Sequence, residues 1–132
     1  MKIEYTDNLM IFDIETTTFS EYGYTFTDVY LSSILTVPFN VNLSKSNLNK
    51  RRVKFLRSWS DIEEHFRTLS ESLPKGKTQI VYCHNLAYEI DGIFKNIKFF
   101  RNMYINEPSR CKTLFIKSRK PVFVRFGNIE FR

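Results

Sequence analysis

The sequence predicts an α/β domain, and three observations carry the prediction. Apolar runs of strand length stand at 9–16, 29–39, 53–56 and 79–83, and two stretches with helical spacing stand at 61–72 and 87–96. From residue 53 onward the two kinds alternate as strand, helix, strand and helix, the order that covers a sheet with helices. With 132 residues, 42% of them hydrophobic and 16% aromatic, the chain is long enough for one sizeable core and too apolar to stay disordered.

Each element has a local reason. The first eight residues are polar and do not resemble a targeting segment. Leu9-Met10-Ile11-Phe12-Asp13-Ile14-Glu15-Thr16 is an apolar run that ends in two carboxylates. Alternation along a strand sends Asp13 and Glu15 to one face and Met10, Phe12 and Ile14 to the other, towards a core. Segment 17–27, rich in Thr, Tyr and Gly, is expected as a loop or hairpin corner, and 29–39 as a β-branched strand ending near Pro38. Residues 40–49 read as an exposed connection, closed by Lys50-Arg51-Arg52, before a short strand at 53–56.

Ser60-Asp61-Ile62-Glu63 matches a capping box, and Ile62, Phe66, Leu69 and Leu73 continue at helical spacing. Trp59, just before that serine, is expected to staple the helix start, and His65 to lie on the surface. Pro74-Lys75-Gly76-Lys77 stops this helix, and 79–83 is a compact strand. The helix at 87–96 should bury Ile90, Ile93, Phe94 and Ile97. Past Phe99 come strands at 113–117, 122–126 and 129–131, with Gly127-Asn128 as a hairpin turn. A chain that stops inside a hairpin is expected to be part of a longer protein, so 1–132 reads as a single partial domain.

The net charge of +6 fits an anionic partner such as nucleic acid. Lys50-Arg51-Arg52 reads first as an exposed basic loop and second as a grip on phosphates, and Arg110, Lys112, Lys117, Arg119 and Lys120 on the late hairpins could contact a strand or a neighbouring domain. Cys83 and Cys111 have no metal-ligand spacing and no secretory signal ahead of them, so a reduced cytoplasmic setting is expected. No apolar run reaches membrane-spanning length, and no membrane partner is expected.

Asp13 and Glu15 form the first chemical candidate. Carboxylates held side by side repel, and a hard divalent cation such as magnesium or manganese relieves the repulsion. The alternative is a strand that simply emerges into an acidic turn. Asn85 and Glu89, four apart, share one face of a helix start. Glu89 could be a third carboxylate or only a first-turn acid that suits the helix dipole. Asp91 competes with it, but lies about 200° further round the helix, so the two cannot face one ion. Cys83 beside His84 suggests a nucleophile and base, yet neighbours on a strand face opposite ways and no third group orients them.

Together, Phe12-Asp13-Ile14-Glu15-Thr16-Thr17 and the later His84-Asn85-Leu86-Ala87-Tyr88-Glu89 resemble two motifs of the 3′–5′ exonuclease domain of protein-primed family B DNA polymerases from phages and plasmids. These domains belong to the DEDD exonucleases. The resemblance implies a ribonuclease H-like mixed sheet with flanking helices, incomplete at the C-terminus. It implies proofreading hydrolysis of the 3′-terminal phosphodiester of single-stranded DNA with two Mg2+ or Mn2+ ions. Asp13, Glu15 and Glu89 match the metal ligands, Glu89 replacing the usual aspartate. Thr16, Asn85, His84 and Tyr88 match positions that hold or line the path of the 3′ end, with Tyr88 in place of phenylalanine.

The family's third motif, a tyrosine followed four residues later by aspartate, is missing near the C-terminus, where the last tyrosine is Tyr104. By resemblance the chain is therefore the N-terminal part of an exonuclease domain, with little or no activity alone. Its implied partners are primer-template DNA and either the rest of the polymerase or a terminal-protein primer. Its implied location is the cytoplasm, that of the host if the protein is viral. A non-catalytic module for nucleic-acid or protein binding is the alternative. A stand-alone nuclease drawing further ligands from Asp91, Asp61 or Asp28 is the poorer third, because none of these has a motif around it.

Overall fold

The computed structural model describes residues 2–38, 52–115 and 121–132. Within them the chain runs β1 (Glu4–Tyr5), β2 (Asn8–Glu21), β3 (Tyr24–Pro38), β4 (Arg52–Leu56), α1 (Trp59–Ser72), β5 (Lys77–Cys83), α2 (Leu86–Asn96) and α3 (Lys98–Asn106). A short 3-10 turn (Pro108–Arg110) then leads into β6 (Cys111–Phe115), β7 (Pro121–Phe126) and β8 (Ile129–Phe131). The strands form one mixed sheet in the order β4-β3-β2-β5-β8-β7-β6, with β1 beside β5. β2, β3 and β4 pair antiparallel, β5 runs parallel to β2, and β8 runs parallel to β5. The α/β expectation holds at this level.

Alternation decides which face of the sheet is buried. Met10, Phe12 and Ile14 are buried, and register sets Met10 beside Val81 and Val81 beside Phe131 on the same face. The helices cover that face with Ile62, Phe66, Ile93, Phe100 and Met103. Phe66 is central, its ring 5.4 Å from Phe12, 5.3 Å from Phe131 and 5.8 Å from Phe100. On the opposite face Ile11, Tyr82 and Phe55 are exposed.

Several expectations need correction. Residues 17–27 are mostly strand: β2 continues to Glu21 and β3 returns from Tyr24. Tyr22 and Gly23 make the corner with φ of 52° and 77°, the positive pair that a two-residue hairpin needs to match strand twist. The cap of α1 is Ser58, whose side chain accepts from the Asp61 amide at 3.0 Å. Glu63 has a different task, accepting from the Phe99 amide at 3.1 Å. That bond serves the start of α3, whose own N-cap residue, Ile97, supplies no side-chain bond.

α3 itself and the short β1 were not expected. Phe94 is 37% exposed rather than buried, stacked edge-on against Tyr104 of α3 at 5.5 Å. β8 is not an open hairpin arm, since it lies between β5 and β7 with all three residues buried. Gly127-Asn128 does form its turn, and a Cβ on Gly127 would lie 2.9 Å from the Met103 sulfur. The expected connection at 40–49, together with Lys50, Arg51, Lys117, Arg119 and Lys120, lies outside the described residues.

Candidate metal centre

Two elements bring the candidate residues together. β2 passes alongside β5 with Phe12 opposite Cys83, so Asp13 emerges where β5 ends. The chain then turns through His84 and Asn85 into α2. Asn85 is the N-cap residue, and its side chain accepts from the Tyr88 amide at 3.3 Å. The Asn85 amide in return donates to Glu89 Oε2 at 3.3 Å. This reciprocal cap satisfies two helix-start donors and turns the Glu89 carboxyl back towards the sheet.

Glu89 is 2% exposed, and its side-chain neighbours are Cys83 and Asp13. Burial raises its pKa to about 7, and the Asp13 charge adds to the rise, against the Cys83 thiol and the Asn85 amide, which favour the anion. A buried acid facing a second carboxylate needs a proton or a cation between them, so Glu89 is poised to exchange one for the other near neutrality. Burial first, then the Glu89 charge, pushes the Cys83 thiol far above its usual range, which leaves it protonated and argues against the thiol nucleophile.

The other candidates are distributed around this pair. The β2–β3 register slips between Glu15 and Thr16, a bulge of the kind that re-aims side chains. Thr16 Oγ1 there meets the Tyr88 hydroxyl across from α2. Tyr88 is 45% exposed and Glu15 is exposed. His84 is exposed, and with Leu9, Ile11, Tyr82 and Cys83 lines a shallow hollow beside the open face of the sheet. Asp91 is turned away and pairs with Lys95 at 3.0 Å. Asp28 accepts from the Val29 amide, and Asp61 lies exposed in the first turn of α1.

Hence Asp13 meets Glu89, and Thr16 meets Tyr88, while Glu15 stands apart in solvent. Among the described residues, no three His, Cys, Asp or Glu side chains are grouped so as to hold a metal ion. The donors fit a hard cation in chemistry, and as two converging carboxylates rather than three.

Two polar residues, one buried and one half-buried, stand in surroundings that the sequence did not signal. Glu130 is 1% exposed and pairs with Arg132 at 2.7 Å and Arg125 at 3.6 Å. An acid between two apolar residues of a strand gives no sign of its partners, because Arg125 is brought to it by the β7–β8 pairing. His65 is not the expected surface residue. Among the described residues its buried Nε2 has no hydrogen-bond partner, and burial followed by the Lys54 charge lowers its pKa to about 4.

No protein family, no curated protein and no solved structure matches this chain at a significant level. No helix among the described residues is long and apolar enough to cross a membrane.

Proposed function

We propose that this chain is the exonuclease-domain portion of a protein-primed DNA polymerase, built on a ribonuclease H-like sheet. In this reading it binds the 3′ end of single-stranded DNA at Asp13, Glu15 and Glu89. The observation that carries the reading is the meeting of Asp13 and Glu89 from separate elements, with the Thr16–Tyr88 contact next to them. The mixed sheet and the net charge of +6 are what such a domain needs.

Asp13 and Glu89 would hold a divalent ion, Mg2+ or Mn2+, with Glu15 closing in from the strand. When bound, such ions supply an activated water and neutralise charge on the leaving 3′ oxygen. To hold such an ion Glu89 would have to be ionised, so the site should load more readily as pH rises through about 7. Tyr88, half exposed, offers its ring to the terminal base without regard to sequence. Asn85 acts through Glu89, holding the carboxyl by its amide. A frayed, mispaired end reaches such a site more easily than a paired one, which is the physical basis of editing.

A labelled single-stranded oligonucleotide, titrated with and without Mn2+, tests the reading. Mn2+-dependent binding that Asp13→Ala with Glu15→Ala abolishes is the expected result, with little hydrolysis by this chain alone. Binding that ignores both the metal and the double substitution would favour the non-catalytic module. That second reading has one observation on its side, the lack of a three-donor group among the described residues.

A further inference from the structure

We infer that Trp59 and Gly92 set the depth at which α2 seats against β2, so that both act as positioning residues for the candidate site. The inference rests on the proposed function for what is positioned, but on packing alone for how. Gly92 lies in the middle of α2, one turn after Tyr88 and three residues after Glu89, and with Tyr88 it borders a cavity shared with Ile14 and Thr16 of β2. A Cβ at position 92 would sit 2.7 Å from Trp59 Cη2 and 3.4 Å from Cζ2. Both atoms belong to the far edge of the indole. Trp59 packs on the core, so the ring can yield only towards the cavity of about 80 Å³ that it borders with Ile14, Thr16, Tyr88 and Gly92, the space beside the candidate site.

Glycine is a poor helix former, and alanine in its place ordinarily stabilises a helix. Here the missing methyl is space that the indole occupies. A methyl added there drives the indole into that cavity or moves α2 off its seat beside β2. Both pairs that define the site, Tyr88 with Thr16 and Glu89 with Asp13, bridge that same gap. A positioning role on this scale follows from the sensitivity of metal sites to the groups that orient their ligands. It also explains why the helix keeps glycine beside its candidate ligands.

The test is Gly92→Ala alone and combined with Trp59→Phe, which removes the far ring edge and keeps an aromatic at the site. Two readouts are taken on the whole chain: the nuclear Overhauser contact between the Tyr88 ring and the Thr16 methyl, and Mn2+ affinity. Gly92→Ala is expected to lose the contact and weaken Mn2+ binding by about tenfold or more, the range for disturbed ligand orientation. The double variant is expected to restore both. A general structural role would not be rescued by making a second residue smaller. Retention of the contact in Gly92→Ala, or its loss without rescue by Trp59→Phe, overturns the inference. If the unaltered chain binds no Mn2+, the metal reading fails, and the Tyr88–Thr16 contact series still decides the positioning role.

Discussion

Glu89 is buried at the start of α2 with its carboxyl turned towards Asp13. Its folded pKa, about 7, lies above the ordinary value of 4.5, so folding favours its protonated form. The stability this contributes is fully present below pH 4.5 and is lost as pH rises through about 7. The whole span corresponds to about 3 kcal/mol, at roughly 1.4 kcal/mol per tenfold change in acidity. Glu89→Gln should therefore change stability little at acid pH and raise it by about 1–3 kcal/mol at about pH 8 in metal-free buffer. Chemical denaturation at the two pH values reads this directly. An equal effect at both would mean that the carboxyl is not buried as described. That Asp13 points away from the Met10–Ile14 face was legible from alternation alone. The closeness of Glu89 was not, because it depends on the Asn85 cap, whose partner is chosen by the fold.

Elements were legible where one period dominates and hidden where a partner from elsewhere is needed. β2, β4, β5, α1 and α2 announce themselves by spacing, and their observed limits lie close to the expected ones except at the long β2–β3 hairpin. There the two positive-φ residues Tyr22 and Gly23 let Thr-rich flanks continue as paired strands. α3 was not legible, since its N-terminal amide is satisfied by Glu63 of α1 rather than by a residue of its own. Removing that acceptor should free α3 at its start. Glu63→Ala is expected to cost about 1 kcal/mol, as for loss of a helix cap, with faster hydrogen exchange confined to the first turn of α3. Unchanged exchange there would show that the helix starts without help. The Lys98 side of that turn is exposed, so the change should be seen without global unfolding.

At the scale of the molecule, one layer of helices lies on one face of a mixed sheet, and Phe66 sits where the two layers meet. Because its ring touches residues from β2, β8 and α3, Phe66→Ala should cost about 3–5 kcal/mol, a large share of a typical total of about 5–15. Thermal unfolding would register it as a large drop in midpoint. Beyond the hairpin at Gly127-Asn128 the order of strands could not be read from the sequence, because β8 reaches β5 across a long stretch of chain and its three residues carry no local sign of a parallel partner. The side chains that surround the candidate site nonetheless come from the two motifs that stood out in the sequence. In the proposed function Asp13 and Glu89 meet around a divalent cation. Mn2+ binding followed by electron paramagnetic resonance at about pH 8, above the titration of Glu89, tests it most directly. The expected result is saturable binding that Asp13→Ala abolishes, Glu89→Gln weakens and Asp91→Ala leaves unchanged. No saturable binding, or binding indifferent to Asp13 and Glu89, would contradict it.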